Sequence, residues 1–400
     1  AKRAKPAVPF GGMYRIIDFT LTNAMQSGIR HVGVLTQYRP TSLMGHCGDG
    51  EAWDLSGRNS CLSILPPSGG QSQNDWYKGT ADAVWQNLSF LEHLHPRYVV
   101  ILSGDHIYSM DYSRMLAEHE AQGADVSVAS MEVPWEETFR FGVMVTDGAG
   151  RVTRFVEKTH DRVSNLANMG IYIFRYDVLK DELSRNIPYG KYDFGADVFP
   201  NMIERRKVVT HAFEGYWRDV GTLPSFWYAN MDALDPAGSG LDLASWRVRT
   251  NIEGRHQVSD PPASLGPDAV VRGSLVSRGC GIEGTVRGSV LSPGVVVGKG
   301  AQVVGSVVMH GCVIEPGAVV MNAILDKGVC VGAGTRLGSD PLVPGENRQF
   351  PTHLSGGISV VGKETRIPGG MTIGANVLIA EGLGPEAFVA MQIPDGESVL

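Results

Sequence analysis

Two aspartates stand where a metal site could form. Asp105 follows the apolar run 99–103 and comes directly after Gly104, and Asp219 lies in the segment 217–222. Carboxylates are hard oxygen ligands of the kind that Mg²⁺ prefers, and a glycine lets the backbone approach a ligand closely. Two carboxylates that meet at one edge of a sheet could hold Mg²⁺ against a triphosphate. The structural alternative for Asp105 is a helix cap.

An acid and a base stand side by side at the end of the run 155–158. Glu157 and Lys158 would point to opposite faces of a regular strand, so both reach one ligand only if the strand has ended or bulged there. A sugar phosphate needs both types, because a carboxylate binds hydroxyls and an ammonium binds the phosphate. The alternative is an ordinary pair of surface charges.

A cationic cluster opens the chain. Lys2, Arg3 and Lys5 precede an apolar segment, and their side chains suit an anion such as phosphate. A solvated terminal tail is the alternative.

Aromatic residues and a cation precede a Gly-Thr turn in the segment 76–83. Trp76, Tyr77 and Lys78 come before Gly79 and Thr80, which open a predicted helix. Helix N-terminal amides favour anions, and small residues admit a flat base. The segment therefore predicts a nucleotide contact, with an N-cap beside a core tryptophan as the alternative.

The first part of the chain alternates strands with helices. Strands are predicted at 31–36, 99–103, 125–131 and 170–174, and helices at 81–94 and 112–122. This alternation predicts an α/β fold, with a Rossmann-like mixed, mostly parallel sheet that binds ligands at the carboxyl ends of its strands.

The second part repeats every six residues. Val361, Ile367, Ile373 and Ile379 keep this step, and small residues at the corners explain much of the excess in the 50 glycines. Such a period predicts a parallel β-helix, with a glycine-rich antiparallel domain as the alternative. The interval 338–357 breaks the period and predicts an excursion loop. We expect a nucleotidyltransferase-type catalytic domain over 1–251 and a β-helix domain over 252–400.

The composition of the chain argues against some classes of partner and location. A formal net charge of −7 without a Lys/Arg block argues against a nucleic-acid partner. No apolar run is long enough for a membrane span, and the start has no signal-peptide pattern. Five cysteines without a CxxC predict reduced thiols in a cytoplasmic protein.

Taken together, the motifs resemble the sugar nucleotidyltransferase family and, within it, the bacterial glucose-1-phosphate adenylyltransferases. The similarity extends across nearly the whole first domain in the expected order. The matching stretches are KRAKPAVPFGG, YRIIDFTLTNAMQSGIRHVGVLTQY, WYKGTADAV, VVILSGDHIYSMDYSRML, FGVMVTD, FVEK, LANMGIYIF, DFGADVFP and YWRDVGTL. A left-handed β-helix is implied by the resemblance of the hexapeptide repeats to that family of folds.

The resemblance implies a role for each matching residue. The catalytic residues would be Lys5, Asp105 and Asp219, of which the two aspartates bind the metal. The nucleotide contacts would be Gln37, Trp76, Tyr77, Gly79, Thr80, Ala81 and Gly104. The contacts to glucose 1-phosphate would be Tyr77, Gly142, Glu157, Lys158 and Asn168, the last of which is often serine in relatives. Lys2 and Arg3 would be regulatory.

The implied reaction is ATP plus α-D-glucose 1-phosphate giving ADP-glucose plus pyrophosphate, for glycogen synthesis. The resemblance further implies Mg²⁺, a homotetramer, anionic metabolite effectors and a glycine-rich phosphate loop upstream of Ala1. Three alternatives stay open: another NDP-sugar pyrophosphorylase, a non-catalytic regulatory subunit of the same fold, and a β-helix acyltransferase that would use His310.

Overall fold

The computed structural model of the protein describes residues 4–37, 40–67, 76–252 and 260–400. The predicted regulatory residues Lys2 and Arg3 lie outside these ranges. The described helices are α1 (Ile16–Gln26), α2 (Thr41–Cys47), α3 (Thr80–Gln86), α4 (Leu88–Leu94), α5 (Tyr112–Gln122), α6 (Tyr176–Asn186), α7 (Phe199–Met202), α8 (Leu223–Asp232), α9 (Pro236–Ser239) and α10 (Leu243–Trp246).

Strands fall into two groups along the chain. The earlier group comprises β1 (Pro9–Phe10), β2 (Tyr14–Arg15), β3 (His31–Leu35), β4 (Ser56–Gly57), β5 (Ser60–Leu65), β6 (Tyr98–Leu102), β7 (His106–Tyr108), β8 (Val126–Glu132), β9 (Gly142–Thr146), β10 (Val152–Glu157), β11 (Leu166–Arg175), β12 (Val208–Ala212) and β13 (Trp217–Asp219).

The later group consists of strands of two or three residues. They are β14 (Ser264–Leu265), β15 (Val270–Arg272), β16 (Leu275–Val276), β17 (Gly281–Ile282), β18 (Thr285–Arg287), β19 (Val290–Leu291), β20 (Val296–Val297), β21 (Gln302–Val304), β22 (Val307–Val308), β23 (Val313–Ile314), β24 (Val319–Met321), β25 (Ala323–Leu325), β26 (Cys330–Val331), β27 (Arg336–Leu337), β28 (Ser359–Val361), β29 (Arg366–Ile367), β30 (Thr372–Ile373), β31 (Leu378–Ile379), β32 (Gln392–Ile393) and β33 (Ser398–Val399).

Two compact units contain these elements. The first holds 20–104 and 109–215, and the second holds 5–19, 105–108 and 216–400. The predicted domains are continuous in sequence and meet at 251/252. The second compact unit, in contrast, also includes the earlier segments 5–19 and 105–108, so that boundary stays a prediction.

The first unit is built on a six-stranded mixed sheet in the order β10-β9-β11-β8-β12, with β6 also paired to β11. Strands β6, β8, β9 and β12 run in one direction, and β10 and β11 run against them. This confirms a mixed sheet. Within it β8 and β12 pair in parallel, and the other strand pairs are antiparallel. Apolar side chains of the sheet pack on α3, α6 and the segment 194–202, with Tyr172, Phe174, Phe194 and Phe199 at the centre.

The predicted helix 81–94 is two helices in the structure. Asn87 separates α3 from α4, because its side-chain amide donates hydrogen bonds to the carbonyl of Ala83 at 2.9 Å and to the hydroxyl of Tyr77 at 2.9 Å. Helix α5 has the bounds that the periodicity predicts.

The second unit contains the predicted β-helix. Its short strands form three parallel sheets, so that each coil adds one strand to each face. Inward aliphatic side chains such as Val297, Ile314, Val331 and Ile367 stack into one buried column. The predicted excursion separates β27 from β28, which begins at Ser359.

A further core in this unit joins the β-helix to the segments that precede it. Phe10 and Phe19 pack with Ile107, Val220 and Phe226, and the same cluster includes Val307 and Ile324 of the coils. The N-terminal strands and the β7/β13 ribbon are therefore held by one apolar cluster with α8. None of the helices in the described ranges combines the length and apolarity that a membrane span requires.

Candidate active site

A two-stranded ribbon in the second unit brings the predicted metal ligands together. Strands β7 and β13 are antiparallel, with Asp219 opposite His106. The amide of Val220 donates to the carbonyl of Asp105 at 3.2 Å. Asp105 and Asp219 therefore occupy neighbouring backbone positions at the same end of this two-stranded ribbon.

Lys5 lies close to Asp219 of this pair. The amide of Gly221 donates to Oδ1 of Asp219 at 2.7 Å. A Cβ atom at Gly221 would lie 2.8 Å from that oxygen and 3.4 Å from Nζ of Lys5. Both charged groups thus flank the bare face of Gly221. Lys5 opens the 3-10 turn Lys5–Ala7, and the buried Ala7 anchors that turn.

The donor set suits a metal that also takes ligands from a substrate. Asp105 and Asp219 offer carboxylate oxygens, and Mg²⁺ is commonly bound by one or two carboxylates together with substrate phosphates and water. No cluster of three or more His, Cys, Asp or Glu side chains occurs in the described ranges. Two carboxylates are a donor set that fits Mg²⁺ when a substrate supplies the remaining ligands.

The predicted sugar-phosphate residues lie in the first unit, and the strand that carries Glu157 ends before Lys158. Strand β10 ends at Glu157, and Lys158 adopts a positive φ of 45°. This left-handed conformation turns the lysine out of the strand alternation, and its Nζ lies 3.8 Å from Oε1 of Glu157. The amide of Lys158 donates to the carbonyl of Phe141 at 3.1 Å. Both charged groups can therefore face one ligand.

Two glycines make room for the Glu157 carboxylate. A Cβ atom would lie 2.5 Å from Oε2 of Glu157 at Gly142 and 2.4 Å from it at Gly195. Burial raises the pKa of Glu157 above its usual value; Lys158 acts in the lowering direction and Asp193 in the raising direction. The absence of a side chain at Gly142, one of the predicted residues, therefore leaves the space that the Glu157 carboxylate occupies.

Asn168 lies at an irregularity of β11. The pairing with β8 shifts register between Asn168 and Tyr172, and Gly170 has a positive φ of 69°. The Asn168 side chain accepts from the amide of Gly170 at 2.9 Å and donates to the hydroxyl of Tyr172 at 2.8 Å. A serine could not reach both groups, so the asparagine holds the bulge as well as offering a polar side chain.

The predicted nucleotide residues surround the start of α3 in the same unit. Gln37 donates from Nε2 to the carbonyl of Tyr77 at 3.1 Å. The Tyr77 ring is buried, and its hydroxyl donates to the carbonyl of Leu65 at 3.0 Å. Tyr77 therefore fixes the segment, whereas the neighbouring Trp76 ring is 47% exposed and can meet a ligand.

The turn at Gly79 is docked on a later segment. A Cβ atom at Gly79 would lie 2.4 Å from the carbonyl oxygen of Tyr192. The amide of Ala81 donates to that same oxygen at 2.8 Å, and the hydroxyl of Thr80 donates to Oδ2 of Asp193 at 2.9 Å. The small residues predicted to admit a base are thus also required for this backbone contact. Gly104, the remaining predicted contact, is half-buried after the end of β6.

Sequence reasoning gave Asp193 no role. Its Oδ1 accepts from the amides of Gly195 and Ala196, so it caps the π-helical turn Phe194–Val198, while Oδ2 binds Thr80. An aspartate two residues before a glycine at a helix start is a capping signal that the sequence shows. The link to Thr80 was invisible, because the two residues are far apart in the chain.

Comparison with known proteins identifies the family. Residues 1–236 match the nucleotidyl transferase family, and residues 263–361 match the GlmU-like C-terminal hexapeptide family. The latter match accords with the three parallel sheets and makes this domain a left-handed β-helix.

Curated relatives match most of the chain. The chain is 47% identical to the glucose-1-phosphate adenylyltransferase of Thermotoga neapolitana in an alignment of length 402 that covers 99% of this chain and 93% of the relative. Identity is 50% over 345 residues to the enzyme of that name from Halalkalibacterium halodurans (85% and 89%). It is also 50% over 305 residues to that of Geobacillus stearothermophilus (75% and 77%). The chain therefore belongs to the nucleotidyl transferase family and, within it, to the glucose-1-phosphate adenylyltransferases.

Proposed function

We propose that the protein transfers the adenylyl group of ATP to α-D-glucose 1-phosphate, which gives ADP-glucose and pyrophosphate and supplies the glucosyl donor for glycogen synthesis. The Glu157 and Lys158 pair is the observation that carries this proposal. A carboxylate and an ammonium 3.8 Å apart, with glycines opening the space around the carboxylate, match a ligand that has hydroxyls next to a phosphate.

The sugar phosphate is assigned to the residues around this pair. Glu157 accepts hydrogen bonds from glucose hydroxyls, and Lys158 neutralises the phosphate. Asn168 is assigned to the same sugar, and Gly142 keeps the Glu157 carboxylate in place. The 67% exposure of the Lys158 side chain leaves its ammonium open to solvent and hence to an incoming anion.

The nucleotide is assigned to the segment around the start of α3. The exposed ring of Trp76 offers a face for the adenine base, and Gly79 and Thr80 allow close approach. Gln37 fixes that segment through its hydrogen bond to the carbonyl of Tyr77, and Tyr77 fixes it through its hydrogen bond to the carbonyl of Leu65. Gly104 is assigned to the nucleotide as well.

The carboxylate pair is assigned to Mg²⁺ and Lys5 to the phosphates. Bound Mg²⁺ would neutralise phosphate charge and stabilise the leaving pyrophosphate. Lys5 donates charge-assisted hydrogen bonds to phosphate oxygens.

The reaction is an in-line displacement at phosphorus. An oxygen of the sugar phosphate forms a bond to the α-phosphorus of ATP, and the bond from that phosphorus to the bridging oxygen breaks, so that pyrophosphate leaves with the electron pair. No nucleophilic side chain is required. The protein positions the two substrates and neutralises charge, which is the work that aspartates, lysines and backbone amides can do.

Assembly and regulation are further parts of the proposal. We infer a homotetramer that responds to anionic metabolites, with Lys2 and Arg3 among the binding cations. The cytoplasmic location expected from the cysteines stays a prediction. The structure describes all five cysteines, and none of them forms a disulfide.

The competing functions have weaker support. A regulatory subunit would not need the Glu157 and Lys158 geometry that is present. An acyltransferase would need a histidine in a cleft, whereas His310 lies at a corner between β22 and β23 with its carbonyl accepting from Gly328 at 2.9 Å.

Kinetics of Lys158→Gln test the proposal. We expect KM for glucose 1-phosphate to rise about 10- to 100-fold, the loss typical of a hydrogen bond to a charged group, with KM for ATP within about twofold. Lys299→Gln, at an exposed β-helix position, is the matched control. Equal losses for both substrates would show that Lys158 does not bind the sugar phosphate.

A further inference from the structure

The strand that carries the proposed metal ligand Asp219 is tied to helix α8 by one carboxylate. The hydroxyl of Tyr216 donates to Oδ2 of Asp232 at 2.8 Å, and Nη2 of Arg218 lies 3.1 Å from the same oxygen. Tyr216 directly precedes β13, Arg218 is the middle residue of that strand, and Asp232 is the last residue of α8. Asp232 therefore holds two side chains from the segment that ends at Asp219. The motifs of the sequence and the proposed reaction give Asp232 no role.

The two faces of β13 have different surroundings. Because Tyr216 and Arg218 reach the same oxygen, both point to the face of the strand that packs on α8. On the paired strand β7, Ile107 lies opposite Arg218, and its buried side chain belongs to the same apolar cluster as Phe226 of α8. Side chains alternate along a strand, so Asp219 points to the other face. The contacts to α8 therefore locate the strand without touching the proposed metal ligand.

Strand β13 and helix α8 are joined at both of their ends. The loop 220–222 connects Asp219 to α8, and at this end the amide of Gly221 donates to Oδ1 of Asp219 at 2.7 Å. The ten residues of α8 span about 15 Å, so Asp232 lies at the far end of the helix, where it binds the start of the strand. The second link prevents the strand from pivoting about the loop. The position of the Asp219 carboxylate therefore depends on Asp232.

Asp232 lies at a position where its charge is unfavourable for the helix itself. The C-terminal end of a helix carries a partial negative charge, which repels a carboxylate. The side chain of Asp232 is only 23% exposed, so water compensates its charge only in part. Within the described residues, the one ion pair of Arg218 is the contact with this carboxylate. The strand and not the helix therefore stabilises the charge, which favours a role in joining the two elements.

We propose that Asp232 is a positioning residue for the metal site: it fixes β13 on α8 and so holds the Asp219 carboxylate in place for Mg²⁺. The inference rests on the assignment of Asp219 to Mg²⁺ in the proposed function. Replacing residues that hold a metal ligand in place commonly changes metal affinity or activity 10- to 100-fold. Loss of the Asp232 charge should therefore weaken binding of the metal–nucleotide complex, although Asp232 itself does not bind the metal.

Calorimetric titration of the full-length protein with the Mg²⁺ complex of α,β-methylene-ATP tests the proposal. The methylene group replaces the bridging oxygen at which the proposed reaction breaks the nucleotide, so binding is measured without turnover. For Asp232→Asn we expect Kd of this complex to rise about tenfold, whereas KM for glucose 1-phosphate in the assay with ATP stays within about twofold. An unchanged Kd would overturn the proposal. Equal losses for nucleotide and sugar phosphate would also overturn it, because they would indicate general damage to the fold.

A milder variant and a matched control accompany Asp232→Asn. Tyr216→Phe removes only the hydroxyl that binds Asp232, and we expect it to raise the same Kd about threefold. Asp268→Asn makes the same chemical change at an exposed position of the second unit and should leave Kd unchanged. The unfolding temperatures of all three variants should lie within about 4 °C of the wild type, because a partly exposed ion pair contributes little to stability. Lower stability with an unchanged Kd would show a purely structural role.

The variant Asp219→Asn separates this inference from the proposed function. It removes the charge of the proposed metal ligand itself, so we expect its Kd for the metal complex to rise more than that of Asp232→Asn. Wild-type affinity in Asp219→Asn would refute the metal assignment, and the positioning role with it. Weak binding by Asp219→Asn together with an unchanged Kd in Asp232→Asn would refute the positioning role alone.

Discussion

At the scale of single residues, the proposed reaction depends most strongly on the negative charge of Asp105. Asp105→Asn keeps the shape of the side chain and removes a hard anionic ligand, so we expect kcat to fall about a thousandfold or more. Circular dichroism and the unfolding temperature should be unchanged, because Asp105 is partly exposed and its backbone makes the ribbon contact. Turnover near the wild-type rate would refute the metal assignment.

A matched substitution separates this effect from a general loss of negative charge. Asp161 is exposed in the segment after β10, and Asp161→Asn should leave kcat within about twofold, because an isolated surface substitution usually changes little.

Glu157 gives the reaction a pH dependence of defined sign. Burial raises its pKa above the ordinary value of 4.5, so the carboxylate is protonated at a higher pH than an exposed glutamate. The ionised form is the stronger acceptor for sugar hydroxyls. We therefore expect KM for glucose 1-phosphate to rise as pH falls through this raised pKa, and to be constant above it.

Steady-state kinetics across the acid range measure this effect. Glu157→Gln removes the titrating group and should abolish that part of the profile, with a KM that is high at every pH. A profile of the variant with the same midpoint as the wild type would assign the titration to another group.

At the scale of elements, the turn Phe194–Val198 shapes the sugar site. Gly195→Ala would place a methyl carbon 2.4 Å from Oε2 of Glu157, so the carboxylate must move. We expect KM for glucose 1-phosphate to rise about tenfold, with KM for ATP nearly unchanged. Gly148→Ala, where a Cβ atom has nothing within 4 Å, should leave both values as they are. A similar KM for sugar phosphate in both variants would contradict the role of this turn.

The elements also show which parts of the structure a sequence can predict. The β-helix was predictable because its repeat is local, and α5 was predictable from periodicity within one helix. The break at Asn87 was missed because the asparagine turns its side chain to Tyr77, a contact outside the pattern of the helix. For Lys158 the sequence states only a condition: Glu157 and Lys158 can reach one ligand if the strand ends or bulges there. It does not predict the left-handed conformation of Lys158.

At the scale of the whole molecule, the limit of prediction is distance along the chain. Lys5, Asp105 and Asp219 were named from the resemblance, but only the fold shows that the backbones of the two aspartates adjoin and that Lys5 and Asp219 flank Gly221. The sequence likewise could not predict the hydrogen bond between Thr80 and Asp193 or the glycines around Glu157, because these residues are far apart in the chain and form no local pattern.

The most direct test of the central claim is pyrophosphate release from ATP, CTP, GTP, UTP and dTTP, each with glucose 1-phosphate and Mg²⁺, by protein expressed from the start codon of its gene. We expect release with ATP that exceeds each other nucleotide by about a hundredfold or more, since base-specific hydrogen bonds discriminate strongly. Preferred release with another nucleotide would keep the mechanism and contradict the adenylyl assignment. Release with none of the five would contradict catalysis and favour a regulatory subunit.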